Sequence, residues 1–387
     1  MPYVGYGGPM QLLAVGHKRT GACPTFERPV LQRDGVLLRV PLVGGALTRD
    51  RALAVADVAA TVGSDTIELT NRGNLQLRGV REGQVGVALD RLRSVGLGAP
   101  GAALVSISPF AGPREHDLRG ALLAALDALL ANGPTLAPKF AVHIDDAGGW
   151  TAGRRAEAVL VAAGDDWAVR VPGIGGGTVP ASEAVALVTT LAEACRAVGD
   201  QARVADVLAA GIALPSVLSR LGRPQADPVG AVAAPGPLGE VVGPDGHRIV
   251  VAAPVLGRLD GAALAAVAHR ADGPIRVTPW RSLVLPHRPG LTAELGALGL
   301  VVRPDHPAAG VISCVGAAGC WQTEADALAE AHRQIATRRV AARQIDRRSS
   351  PAVVHVTGCD KRCATRGPVD VTFVGRPDGR GFDEVRS

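Results

Sequence analysis

Four of the chain's six cysteines fall into two close pairs towards its C-terminal end. Cys314 and Cys320 bracket five residues in SCVGAAGCWQ, and Cys359 and Cys363 bracket three in HVTGCDKRCA. Two such pairs, with Gly316, Gly319 and Gly358 inside or beside them, point to four soft thiolates converging on one metal centre. Zinc ribbons and fingers favour gaps of two to four residues, so five is wide for zinc. The two-residue gaps of bacterial ferredoxins are missing as well. At this level a structural zinc site and buried free thiols stand as the plain alternatives.

Positioning four thiolates needs a scaffold, and the chain repeats one. Val36–Val40 reads as a strand after the turn-like Asp34-Gly35, residues 49–61 have helical spacing, Thr66–Val80 reads as a strand pair, and 83–95 as a second helix. That β-α-β-α order suits a ferredoxin-like half-domain. The same order returns in GPDGHRIVVAAP, a helix over 260–270 and PIRVTPWRSLVLP. Asp34 lies 36 residues before Thr70 and Asp245 lies 33 before Thr278, which predicts an internal pseudo-twofold. A larger lobe follows each unit. In the first, a helix through EHDLRGALLAALDALL stops at Gly133-Pro134. LAPKFAVHIDDAGG and AEAVLVAAGDDWAVRVPG then read as hairpin-like strands, and a helix runs from Ser182 to about Val198. In the second, the first cysteine pair precedes a helix near 323–345, with Thr323 and Asp326 placed to cap it.

The expected organisation is therefore a lead-in (1–26), half-domain 1 (27–96), a first lobe (97–221), a Pro/Gly-rich linker (222–237), half-domain 2 (238–300) and a cysteine-bearing lobe (301–387). Apolar residues at 47% and charged residues at 20% allow a substantial core and exclude a disordered chain. A net charge of +5 with no run of like charges does not point to nucleic acid and fits an acidic small ligand. No apolar run reaches membrane-spanning length and no signal-peptide pattern opens the chain, so the expectation is a cytoplasmic protein without a membrane partner. Cys195, among helical alanines, reads as core; Cys23 in GACPTF reads as reactive or simply packed.

Cys-x5-Cys followed by Cys-x3-Cys resembles the signature of the sulfite and nitrite reductase superfamily. The resemblance implies an α+β fold of two pseudo-twofold-related halves, each a ferredoxin-like half-domain with a larger α/β lobe. It implies that Cys314, Cys320, Cys359 and Cys363 hold a 4Fe-4S cluster, with Cys363 nearest a tetrapyrrole. Three further segments carry it. TNRGNLQLRG resembles the strand that points an arginine at the tetrapyrrole, which nominates Arg72 as a catalytic and substrate-binding residue and Arg78 as a carboxylate partner. SISPFAGPREHD resembles a macrocycle-facing loop and nominates Arg114. LAPKFAVHID resembles a Leu-Pro-x-Lys-Phe segment and nominates Lys139 as catalytic and substrate-binding. Many sulfite reductases carry a second lysine two positions on, where this chain has Ala141.

Within the superfamily, GACPTF, DGVLLRVP, VTPWRSLVL and CVGAAGC resemble the precorrin-3B synthases, over about residues 20–376. That likeness implies an oxygen-dependent monooxygenase of cobalamin biosynthesis, which hydroxylates precorrin-3A and closes a lactone. A 4Fe-4S cluster, a mononuclear non-haem iron, dioxygen and an unidentified electron donor come with it. His143 and His355 are the nearest candidates for ligands of a mononuclear iron, although a packed histidine is the blander reading of each. A sirohaem-dependent sulfite or nitrite reductase is the alternative, and a non-catalytic tetrapyrrole-binding or electron-transfer protein is a second.

Overall fold

Short alternating strands and two small helices build each half-domain. The computed structural model describes residues 13–14, 24–42, 45–98, 105–108, 110–131, 136–137, 140–146, 156–212, 221–222, 236–243, 246–341, 352–364 and 369–386. Cys23, Lys139, Gly133-Pro134 and most of the expected linker lie outside them. In the first half-domain β1 (Leu13–Ala14) runs parallel to β2 (Val30–Gln32), which turns at Asp34-Gly35 into β3 (Gly35–Val40). After β4 (Ala46–Leu47), Thr48 opens α1 (Arg49–Val62) by accepting the Arg51 N–H at 3.4 Å. The hairpin of β5 (Thr66–Leu69) and β6 (Leu75–Val80) leads to α2 (Val85–Ser94).

The first lobe holds β7 (Val105–Ile107), α3 (Pro113–Leu130), β8 (Val142–Asp145), β9 (Ala158–Ala163), β10 (Asp166–Val171), β11 (Gly175–Val179), α4 (Ala181–Val198) and α5 (Val204–Ala209). Its sheet runs β11-β10-β9-β8-β7. β8 is parallel to both β7 and β9, which corrects the expectation of a hairpin there; β9 and β10 form one, as do β10 and β11. The reason is the length of the connections: α3 carries the crossover from β7 to β8, and the twelve residues 146–157 between β8 and β9 are too many for a tight hairpin turn.

The second half-domain repeats the first with β12 (Gly239–Val242), β13 (Arg248–Ala252), β14 (Arg258–Leu259), α6 (Gly261–Arg270), β15 (Ile275–Val277), β16 (Leu283–Pro286) and α7 (Leu291–Ala297). Asp260 caps α6 through the Ala263 N–H at 2.7 Å, as Thr48 caps α1. The second lobe follows as β17 (Val311–Ser313), α8 (Ala327–Ala341), β18 (Val354–Thr357), β19 (Val371–Gly375) and β20 (Phe382–Arg386), with β17-β18-β19 parallel and β20 antiparallel. Strand, helix, strand, strand, strand is also the order of β7 to β10, so the lobes obey the pseudo-twofold as well.

The half-domains are fused. β14 adds to the first sheet beside β5 (Leu259↔Ile67), and β4 adds to the second beside β15 (Leu47↔Ile275). Each unit thus lends a two-residue strand to the other. α1 and α6 pack together: a Cβ on Gly261 would stand 2.6 Å from the Ala56 carbonyl oxygen, and Arg49 donates to the carbonyls of Ala268 (3.2 Å) and Ala271 (3.1 Å). One apolar core runs through both, from Val36, Leu38 and Val58 to Leu264, Leu283 and Leu295. A separate core fills the first lobe around Trp167, and there Cys195 is fully buried as expected, its thiol pushed up to about 12 by burial.

Candidate metal centre

The turn after β17 carries the first cysteine pair, and the turn after β18 carries the second. Because β17 and β18 are parallel neighbours (Ser313↔Val356), both turns leave the same edge of the sheet, which brings the pairs together. Gly358 N–H donates to Cys314 Sγ at 3.2 Å across the two turns, and Gln322 N–H to Cys320 Sγ at 3.4 Å. Burial pushes the Cys314 thiol up against the N–H groups of Gly358 and Gly316, which pull it down. Burial also pushes Cys363 up to about 11, and Cys314, Cys359 and Cys320 all add to that rise. All four thiols therefore share one electrostatic neighbourhood.

Among the described residues no three or more His, Cys, Asp or Glu side chains close around a single ion. A cluster asks for a wider arrangement, because each thiolate takes a different iron at its own corner. Four thiols that act on one another electrostatically, with backbone N–H groups already turned to Cys314 and Cys320, fit that donor set.

Three of the four cysteines follow a peptide whose carbonyl is held by a distant side chain. Arg281 Nη1 donates to Ser313 O at 2.8 Å, Arg78 Nη2 to Gly319 O at 2.8 Å, and Thr323 Oγ1 to Gly358 O at 2.6 Å. Thr323 is therefore not the cap of α8; Asp326 is, accepting the Ala329 N–H at 3.0 Å. A Cβ on Gly319 would lie 2.5 Å from Arg78 Nη2 and 2.6 Å from Asp34 Oδ2, so only glycine lets the guanidinium approach this closely. The β2–β3 turn adds a second hold. Arg33 pairs with Glu324 at 2.6 Å, donates to Ala317 O at 3.3 Å and lies 5.3 Å over the Trp321 ring.

Arg78 is 4% exposed and its donors are engaged by the chain: Nε on Asp34 at 2.7 Å, Nη1 on Glu68 at 3.4 Å, and Nη2 on Asp34 and Gly319. The structure thus puts this nominated carboxylate partner beneath the Cys320 turn, satisfied by the protein's own carboxylates. Glu68, 6% exposed, also pairs with Arg258 at 3.1 Å. Burial pushes its carboxyl up, and Arg78, Arg258 and Arg281 outweigh that and hold it below the ordinary range. Arg72 stands exposed at the tip of the β5–β6 hairpin, shaped by Asn74, whose side chain accepts the Leu42 N–H at 3.0 Å. Arg114 lies on the first lobe, where it clasps the β9–β10 turn through the carbonyls of Gly164 and Asp166 and stacks 4.7 Å over Trp167.

Arg281 is the residue that sequence reasoning missed. It sits at φ +62 in the β15–β16 hairpin, where the β5–β6 hairpin has Gly73 at φ +68. An arginine there carries about 1–3 kcal/mol of backbone strain. Its side chain is buried, with Nε on Leu69 O at 2.6 Å and Nη1 on Ser313 O. The signal available was the alignment of Thr70–Asn74 with Thr278–Ser282, which sets Arg281 opposite a turn glycine.

His143 and His355 occupy matching places, the second residue of β8 and of β18. They belong to different sheets and do not come together as one ligand pair. His143 is hydrogen-bonded to Ser106 Oγ through Nδ1. His355 is 1% exposed, and burial, with Arg362 and Arg281 nearby, lowers it to about 4. Its Nε2 and the hydroxyl of its cross-strand neighbour Thr372 are both buried without a hydrogen-bond partner.

The nitrite/sulfite reductase ferredoxin-like half domain matches residues 30–95, the unit that supplies Asp34, Glu68 and Arg78. The fold is similar to that in a structure of the Mycobacterium tuberculosis NirA protein, with a TM-score of 0.68 at 23% identity over 90% of this chain and 73% of that one. A precorrin-3B synthase from Sinorhizobium sp is 28% identical over 404 aligned residues, spanning 95% of this chain and 83% of the synthase. In its half-domain, its fold and this relative the chain is similar to the sulfite and nitrite reductase superfamily. Its other relatives there include a ferredoxin sulfite reductase of Mycobacterium tuberculosis, 31% identical over 149 residues. That match takes in 35% of this chain and only 27% of the reductase. The two-halved α+β architecture is the one the resemblance implied, and the named relatives are enzymes of oxidoreductase type. Among the described residues no helix is long and apolar enough to cross a membrane.

Proposed function

We propose that this protein is a precorrin-3B synthase that hydroxylates precorrin-3A with dioxygen and closes a lactone on the product. The observation that carries the reading is the extent of the likeness. The synthase aligns along 95% of this chain and 83% of its own length, whereas the sulfite reductase aligns over 27% of its length. Ala141 supports it too, since it stands where many sulfite reductases carry a second lysine; its carbonyl accepts the Glu157 N–H at 2.7 Å. Without that lysine a sulfite would lose a cationic donor where negative charge accumulates.

In this reading Cys314, Cys320, Cys359 and Cys363 hold a 4Fe-4S cluster, which when bound supplies one-electron transfer. Arg72, exposed at its hairpin tip, binds carboxylates of the tetrapyrrole, a task suited to a planar guanidinium with parallel donors. Lys139 is assigned the same task on the strength of its motif, and Arg114 holds the edge of the first lobe. Arg78 keeps the Cys320 turn in place. One atom of dioxygen enters the product and the other leaves as water, with two electrons from an external donor.

The test is to incubate anaerobically purified, reconstituted protein with precorrin-3A, a reductant and 18O-labelled dioxygen, and to weigh the product. Incorporation of one labelled atom is expected. An unlabelled product, or six-electron reduction of sulfite by the same preparation, would transfer the assignment to a sirohaem reductase. Metal and sulfide analysis runs alongside: about four irons with acid-labile sulfide per chain are expected, and stoichiometric zinc without sulfide would defeat the cluster.

A further inference from the structure

Two buried guanidiniums grip the Cys-x5-Cys turn at matching points, each on the carbonyl immediately before a cysteine: Arg281 on Ser313 and Arg78 on Gly319. Both come from half-domain hairpins, outside the lobe that carries the cysteines. Glu68 links them. It pairs with Arg78 and Arg258, and its charge acts on Arg281 as well. Asp34 is the second carboxylate of the group. Three arginines thus face two carboxylates, which leaves one positive charge in excess beneath the thiols. Thr323 holds the Gly358 carbonyl without bringing any charge. The three holds therefore differ in the field they supply.

We infer that Arg281 and Arg78 are positioning residues of the cysteine centre, which fix the peptides before Cys314 and Cys320 and set the centre's electron affinity through their charge. The inference rests on the proposed cluster. Adding an electron makes a thiolate-bound cluster more negative, and a buried cation favours that form; hydrogen bonds, net charge and burial are the protein's means of setting cluster potentials. Glu68 and Asp34 keep the arginines buried and charged. Arg281 tolerates a left-handed backbone because its side chain spans from Leu69 O to Ser313 O, a reach that the glycine at the matching position lacks.

The experiment compares the reconstituted full chain with Arg281→Gln and Arg281→Lys, all three side chains being non-glycine at φ +62. Iron, sulfide and the midpoint potential are measured for each by dye-mediated titration followed by EPR. Arg281→Gln should lower the reduction equilibrium constant at least tenfold, 59 mV for one electron, while Arg281→Lys stays within threefold of the parent. A fully loaded Arg281→Gln chain with the parental potential overturns the inference. If Arg281→Gln fails to assemble a cluster and Arg281→Lys succeeds, the need for the charge is upheld. If both fail with the parental circular dichroism, the electrostatic role is overturned and only a steric one survives. A parent chain that binds no iron and sulfide defeats the cluster assignment itself, which the metal analysis reports separately.

Discussion

Replacing Glu68 by Gln tests whether the buried arginines are held by its charge. The carboxylate lies 3.4 Å from Arg78 Nη1 and 3.1 Å from Arg258 Nη1. Removing one member of a buried ion pair costs about 3–5 kcal/mol, because the partner is left buried and uncompensated. Two features place Glu68→Gln at the low end. Arg78 keeps its paired contact with Asp34, and the Arg258 side chain is 20% exposed, so water relieves part of the loss. The expected destabilisation is about 3 kcal/mol, roughly a 150-fold shift in the unfolding equilibrium. Urea unfolding of the cluster-free chain at pH 7 measures it without a contribution from metal binding.

The pH dependence supplies an independent check. The folded-state pKa of Glu68 lies below its unfolded value, so its stabilisation is present above the unfolded value of about 4.3 and is lost as pH falls through the folded one. Parent and Glu68→Gln should differ fully at pH 7 and converge below the ordinary carboxylate range. A variant within about 1 kcal/mol of the parent at pH 7 would refute the reasoning, since the arginines would then be solvated or paired in some other way.

Other expectations follow from single contacts. Gly319→Ala drives a methyl group to 2.5 Å from Arg78 Nη2 and 2.6 Å from Asp34 Oδ2, and should cost about 1–3 kcal/mol together with iron content. His355, at about 4 in the fold against 6.5 free, stabilises fully above pH 6.5 and loses about 3 kcal/mol as pH falls to 4. His355→Leu, which removes the one titrating group while leaving Arg281, Arg362 and Thr372 around it, should flatten that part of the pH–stability curve. Arg72→Ala should weaken binding of a carboxylate-rich tetrapyrrole about tenfold or more with an unchanged cluster spectrum, whereas Arg78→Ala should disturb the spectrum first. Equal spectral damage from both would place Arg72 in the scaffold.

The repeated half-domains and the meeting of the cysteine pairs were legible in the sequence because both rest on local pattern. Alternating apolar residues, a cap and a hairpin turn recur at similar spacing, and two motifs that follow adjacent parallel strands must leave the same sheet edge. The strand exchange was not legible. β4 and β14 have two residues each, too few to carry a period, and pair with partners fixed only by the packing of α1 on α6. The cap of α8 was misplaced by one turn, since Thr323 and Asp326 are both good caps and only the tertiary contact with Gly358 takes Thr323 away. Arg78 read as a ligand-facing cation because a strand pattern reports which face a residue takes, and not which carboxylates wait there.

The pseudo-twofold also accounts for why one lobe carries the thiols. Hairpin registers align Glu68 with Arg276, Arg78 with Pro286 and Gly73 with Arg281. Beneath the second lobe the first half-domain presents Glu68 and Arg78, and Arg78 reaches the cysteine turn. The matching places in the second half-domain present Arg276 and Pro286, and Arg276 meets His116 of the first lobe at 2.9 Å. Proline has no side-chain donor, so Pro286 offers the turn after β7 no counterpart to the Arg78–Gly319 hold. The lobes differ likewise at the histidine that follows the first residue of each central strand. Ser106 partners His143, while Ile312 stands at the same register position beside His355. A duplicated scaffold has therefore been specialised through a handful of hairpin and strand positions. The first half-domain supplies the Arg78–Glu68 part of the charge framework on which the cysteine turn of the second lobe rests.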